Sequence, residues 1–253
     1  MDRAIWRKRY GSFVRFECPR CGRGRLTQKK DSFVKLEPVH VSQQIEADEL
    51  QGELSWGRFS GYLVCNKVGC GELVVVAGDF EEHYQYQFDQ ETGDPIEFTD
   101  TSYCPRIMYP APPIIEVPKK LDKEAKSQMT RAFELFWSDA GACANRQRIV
   151  VELLLDQLGI DRKGAKGKRK RARLDLSDRI DLLKVVRPGH DKALTALRIV
   201  GNTGSHEGTV DFEELLDCFE LLEDALIELL EERRAKLEAK AEAIIKRRSQ
   251  PST

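Results

Sequence analysis

Apolar residues recur with two different periods along the chain, and the change falls near residue 110. Before it the apolar runs are short. Residues 12–16 and 61–65 mix small, aromatic and aliphatic side chains, and residues 73–77 are apolar and β-branched. This predicts strands, the last of them buried. Four prolines between 109 and 118 predict an extended connector, and Ile114, Ile115 and Val117 predict that it packs against one domain. Beyond it the spacing is helical. Residues 121–137 and 140–158 are predicted helices, the second capped by Asp139 and ended by Gly159. Residues 162–173 are basic, polar and interrupted by glycine, which predicts a long exposed loop, poorly ordered without a partner. A short helix over 178–186 stops at Pro188-Gly189, and 191–200 lead into a glycine-containing segment. Residues 211–247 read as one long helix. Its buried stripe is Phe212, Leu215, Leu216, Phe219, Leu222, Leu226, Leu229 and Leu230. After Leu230 the helix is mostly charged and is expected to project into solvent or to pair with a second copy. The organisation is α+β: a β-rich domain over 1–108, a connector over 109–119 and a helical domain over 120–248.

The length, 253 residues, suits two modest domains, each able to bury a core. The net charge of −1 points to no partner, but the charges are blocked. Residues 1–30 hold ten Lys/Arg against two acids, residues 79–100 hold eight acids and no Lys or Arg, and residues 162–173 hold eight Lys/Arg and no acid. Such blocks are solvated faces in most proteins and polyanion-binding surfaces in some. The acidic block, with its turn signal Thr92-Gly93-Asp94-Pro95, belongs away from any nucleic-acid surface. No run approaches the ~18–20 apolar residues of a membrane span. Residues 1–10 are basic with no apolar region behind them, unlike a secretory signal.

Seven cysteines are an odd number, and two pairs have metal-ligand spacing: Cys18-Pro-Arg-Cys21 and Cys65-Asn-Lys-Val-Gly-Cys70. Each pair lies beside a strand and a glycine, as in a zinc ribbon. Four thiolates satisfy tetrahedral Zn²⁺ and leave no open position, so the ion would be structural. The other reading is a set of free buried thiols. Cys104 is a substitute ligand, and His40 and His83 are weaker ones; Cys143 and Cys218 fall among apolar helical neighbours and read as core. This cysteine usage fits a reducing, cytoplasmic setting. Arg20, Arg23 and Arg25 decorate the first knuckle with Trp6, Tyr10, Phe13 and Phe16 nearby. The pattern fits backbone contacts with base stacking on nucleic acid. It fits equally well aromatics facing a core with arginines facing water. In the basic block, Lys168, Arg169, Lys170 and Arg171 are the nucleic-acid candidates.

Residues 197–206 read L-R-I-V-G-N-T-G-S-H. On an unbroken helix Arg198, Asn202 and His206 share one face, a turn apart. Gly201 and Gly204 each cost such a helix roughly 1 kcal/mol relative to Ala. Either the backbone bends there or a neighbour packs too close for a Cβ. A cation, an amide and an imidazole facing one way can hold a phosphate or assist cleavage beside one; they can also cap a helix end.

The segment resembles the signature of an uncharacterised bacterial helical family with the pattern L-R-x-x-G-N-x-x-x-H. That family occurs alone or attached to restriction-enzyme subunits. It is similar to the HEPN superfamily, many of whose members are ribonucleases of toxin and antiviral systems. Arg148-Ile-Val-Val-Glu152 resembles the family's R-x-x-x-E helix, and the leucines and isoleucine of 176–183 resemble its next helix. The resemblance runs from about residue 110 to about residue 230. It implies a HEPN-like helical bundle and a nucleic-acid-directed role, on RNA more than DNA, in prokaryotic defence against phage or mobile elements. In the cleaving version His206 is general acid or base, Arg198 meets the phosphorane charge and Asn202 orients the scissile group, with Arg148 and Glu152 in support and no metal required. HEPN nucleases set Arg and His closer together than the seven intervening residues here. That spacing favours a second reading, a non-catalytic binding or adaptor protein, or a regulatory subunit of a restriction or defence complex. The resemblance also implies a homodimer through the helical domain.

Overall fold

Residues 55–65 alternate strictly between the two faces of a strand, and this strand is the centre of the first half of the molecule. The computed structural model describes residues 1–47, 54–88, 93–167, 169–206 and 208–249, the side chains of 54, 84–87, 97, 206 and 249 excepted. The chain forms two compact units. One comprises Asp2–Pro113 with Phe133–Asp139; the other comprises Met1, Ile114–Ala132 and Ala140–Thr253. The elements are mixed α and β, and among the described residues no helix is long and apolar enough to cross a membrane.

The first unit is an antiparallel sheet of β1 (Leu26–Gln28), β2 (Val34–Leu36), β3 (Leu54–Cys65), β4 (Leu73–Phe88) and β5 (Pro95–Tyr109), with a short helix α1 (Val39–Glu46). The order is β1-β3-β4-β5, and β2 also pairs with β3. Phe59, Leu63, Val74, Val76, Phe80 and Met108 point inward and are buried. Residues 73–77 form a strand, but only one side of it is buried. Val74 and Val76 are sealed, whereas Leu73 and Val75 are 42% and 39% exposed, because the sheet packs on one face only.

Residues 12–16 form no strand. Among the described residues, isolated bridges from Tyr10 to Tyr103 and from Glu17 to Arg25 flank this segment. Its aromatics all turn inward: Trp6, Tyr10, Phe13 and Phe16 are between 0% and 9% exposed. Phe13 meets Phe33, Phe59 and Tyr103, while Trp6 and Phe16 meet Trp137. Of the two readings of the aromatic and basic pattern, the core reading holds for the aromatics, and base stacking on them is ruled out by their burial.

The second unit contains α2 (Lys123–Leu135) up to Ala132, then α3 (Ala140–Gln157), β6 (Lys163–Lys166), β7 (Arg169–Arg173), α4 (Leu176–Val186), α5 (Asp191–His206), α6 (Phe212–Glu231) and α7 (Arg233–Ser249). Ile114 and Ile115 of the proline-rich segment are buried, and Glu116 N–H donates to Glu223. The stripe on α6 is buried as its spacing predicts.

Two expectations fail here. The basic block is an antiparallel hairpin, β6 with β7, rather than a loop. Its anchor is the next residue: Leu174 is buried, its N–H donates to the Arg162 carbonyl, and its side chain lies over Gly164. Ladder bonds use backbone groups, so a strand without large apolar side chains can still pair. Nor is 211–247 one helix. Glu232 takes a left-handed conformation, φ +53°, and its N–H closes α6 on the Glu228 carbonyl before α7 starts.

Candidate functional site

In the β unit, both knuckles deliver sulfur to one point. The four Sγ atoms of Cys18, Cys21, Cys65 and Cys70 lie within 4.8 Å of one another. The Cys18–Cys70 and Cys21–Cys65 pairs are each 3.8 Å apart. A disulfide needs ~2.05 Å, whereas the edge of a tetrahedron with ~2.3 Å metal–sulfur bonds is about 3.8 Å. The donor set therefore fits a metal ion. Cys65 ends β3, and Cys18 and Cys21 sit in the turn leading to β1. Gly24 is obligatory at this turn, since a Cβ on it would collide with the Cys65 sulfur. N–H groups of Arg23 and Gly24 hold the Cys21 thiol down to about 6, while burial pushes Cys18 up to about 12.

Cys104 stands on β5 opposite Asp79 and His83 on β4 opposite Asp100. His40 of α1 packs its ring on Trp56. Among the described residues the only such group of potential ligands is the four cysteines. Cys143 and Cys218 are buried in the helical unit. Arg20, Arg23 and Arg25 are exposed on the knuckle, with Arg20 near Glu72 and Arg25 near Glu17.

In the helical unit the glycines of α5 govern the second site. A Cβ on Gly201 would stand 2.6 Å from the Cβ of Arg148 and 3.0 Å from the Ala144 carbonyl oxygen. Gly204 meets Gly141 backbone to backbone. Thus α5 stays helical through both glycines, and their role is close approach to α3. That approach brings Arg148 and Glu152 of α3 to the same cleft as Arg198 and Asn202 of α5, a cavity of about 490 Å³.

Three further arginines line it: Arg162, Arg173 and Arg179, with Asp175 and Ser177 at the start of α4. Arg148 is held by Glu152 at 2.6 Å and by Asn145 at 3.2 Å. Asp156 binds two guanidiniums, Arg162 and Arg179, and these hold its carboxyl below the usual range, the Arg162 hydrogen bond most of all. Lys166 reaches from the hairpin to Asp175 at 2.7 Å and depresses that carboxyl in turn. Arg179 is 4% exposed. Its terminal nitrogens donate to Asp156 and to the carbonyls of Glu152 and Ile160. Its Nε, like that of Arg198, is buried with no acceptor among the described residues. A buried cationic donor without a partner is costly.

His206 ends α5, but its side chain lies outside the described residues, as does all of Lys168. Arg169, Lys170 and Arg171 are exposed on β7. Arg162 and Arg173 were legible only as the ends of the basic block, and Arg179 was not marked as a site residue. For Arg179 a signal exists, because it interrupts the apolar face formed by Leu176, Ile180 and Leu183.

Residues 130–248, which carry the cleft, match the model of a domain of unknown function, DUF4145. Residues 9–108, which carry the four cysteines, match that of another domain of unknown function, DUF8608. No curated protein and no solved structure matches the chain.

Proposed function

We propose that this protein acts on nucleic acid, RNA in preference to DNA, through the arginine-lined cleft of a HEPN-like helical unit, in prokaryotic defence against phage or mobile elements. The observation that carries the reading is Arg198: its Nε is buried without an acceptor, one turn from Asn202, in a cleft with four other arginines. Guanidinium groups are suited to phosphate by charge and by their planar fork of donors.

The preference for RNA follows from chemistry that arginine, asparagine and histidine can assist. The ribose 2′-oxygen attacks phosphorus and loses its proton, the P–O5′ bond breaks, and the 5′-oxygen gains a proton. The products are a 2′,3′-cyclic phosphate and a 5′-hydroxyl. His206 is the group to move a proton, Arg198 stabilises charge on the phosphorane, and Asn202 orients the scissile group. In the β unit the four cysteines hold Zn²⁺ as a structural ion within a zinc ribbon, because four thiolates leave no coordination position for a reactant. A second copy is the partner suggested by Leu237 and Ile244, seven residues apart and each 54% exposed on α7.

Labelled RNA incubated with the protein in EDTA tests this reading. Cleavage that His206→Ala and Arg198→Ala abolish with an unchanged melting temperature is the expected result. Absence of both cleavage and binding ends the reading. Binding without cleavage leaves the adaptor or regulatory-subunit role. The continuity of α5 favours that role, since Arg198 and His206 are eight residues and so about 12 Å apart along its axis.

A further inference from the structure

The cations of the cleft outnumber the acids that touch them by two. Arg148 is matched by Glu152, and Arg162 and Arg179 share the single carboxylate of Asp156. Lys166 lies between Asp175 and Asp178. Arg173 and Arg198 have no carboxylate partner among the described residues. Counting Lys166, Asp156 and Asp178, which touch the lining residues without lining the cleft themselves, six cations face four carboxylates. A phosphodiester within a strand carries one negative charge, whereas a phosphomonoester carries about −1.5 to −2 near neutral pH.

The donors come from separate walls. Arg173 stands at the end of β7, Arg179 in the second turn of α4 and Arg198 on α5. Arg179 is nine-tenths buried or more, and its Nε and that of Arg198 are buried without an acceptor among the described residues, behind the lining of the cleft. The first turn of α4 lines the same space with Ser177, which adds a hydroxyl, while the helix start itself is already capped by Asp175 and Asp178. The volume, about 490 Å³, falls in the range of small-ligand pockets, ~300–1,000 Å³, rather than that of a single-ion cradle.

We infer that the cleft is a pocket for a phosphomonoester dianion, borne by the phosphorylated end of a strand or by a free nucleoside monophosphate. The inference rests on the nucleic-acid reading only for the identity of the bearer; the charge and the unmatched donors stand without it.

Calorimetric titration of the full chain with four probes tests it: an oligoribonucleotide with a 5′-phosphate, the same strand with a 3′-phosphate, the same strand with hydroxyl ends, and a nucleoside 5′-monophosphate. A phosphorylated end is expected to bind at least tenfold more tightly than the hydroxyl-ended strand. Arg173→Ala and Arg198→Ala should each erase most of that preference with an unchanged melting temperature. Monophosphate binding as tight as the phosphorylated strand assigns the pocket to the free nucleotide; no monophosphate binding beside a retained end preference assigns it to the strand end. Equal affinity for phosphorylated and hydroxyl-ended strands, with no monophosphate binding, overturns the inference while the nucleic-acid reading stands. Monophosphate binding without any strand binding does the reverse.

Discussion

Gly204 of α5 lies against Gly141 of α3 so closely that a Cβ on Gly204 would stand 2.6 Å from the Gly141 carbonyl oxygen. This contact, with Gly201 on Arg148 one turn earlier, sets the distance between the two helices that wall the cleft.

Gly204→Ala is therefore expected to destabilise the helical unit, although alanine is the better helix former. The propensity gain is roughly 1 kcal/mol, and forcing a methyl group into a packed backbone contact costs about 1–3 kcal/mol. The obstacle is backbone rather than a movable side chain, so the upper part of that range applies. A lowered melting temperature together with weaker ligand binding is the expected pair of readings. A raised melting temperature would show that α3 and α5 separate without cost.

Metal content should equal one zinc ion per chain and depend on Gly24 as well as on the cysteines. Gly24→Ala drives a methyl group at the Cys65 sulfur and so should lower the stoichiometry measured by elemental analysis. Cys104→Ser should leave it unchanged, because Cys104 is outside the four-sulfur group. Cys18→Ser should unfold the β unit and leave the helical circular dichroism signal in place. Full metal content in Gly24→Ala would contradict the geometry of the first knuckle.

Acid should weaken the helical unit through Asp156. Its carboxyl titrates lower in the folded chain than in the unfolded one, by the Arg162 hydrogen bond and then the Arg179 charge. A depressed carboxyl contributes stability that is fully present above the unfolded value, about 3.9, and is lost as pH falls through the folded value. Wild type should exceed Asp156→Asn in stability at neutral pH, with the difference closing below about pH 4. Parallel stability curves of the two proteins down to pH 2 would remove Asp156 from this role.

The hairpin should bind polyanions in a salt-dependent way. Arg169, Lys170 and Arg171 are exposed on β7. Neutralising several phosphates releases counterions, so affinity should fall by about two orders of magnitude between ~50 and ~200 mM salt. Arg169→Glu with Arg171→Glu should weaken binding and flatten that slope. Unchanged binding in the double variant would confine the nucleic acid to the cleft.

Much of this was local and so readable without a fold. The cysteine spacings, the α6 stripe and the i, i+4 relation of Arg148 to Glu152 depend on residues a few positions apart, whose geometry is set by the backbone period alone. The two glycines of α5 announced either a bend or a close neighbour. The choice between them waited for α3, because a glycine contact is a property of two helices. The β6–β7 hairpin was hidden because its composition lacks the apolar alternation that marks strands, while its pairing uses backbone groups and a single anchor, Leu174. The end of α6 turns on the φ of one residue, Glu232, to which a stripe of leucines is blind.

By itself, then, the sequence determined which residues carry the chemistry within each element: four sulfurs in two knuckles, an arginine and an asparagine on one helical face. Only the tertiary structure decided that the four sulfurs meet at one point, that the aromatics beside the first knuckle are core, and that Arg162, Arg173 and Arg179 join Arg198. The reason is physical. Charge excess in a cleft is a sum over α3, α4, α5 and a hairpin, and no window along the chain contains its terms.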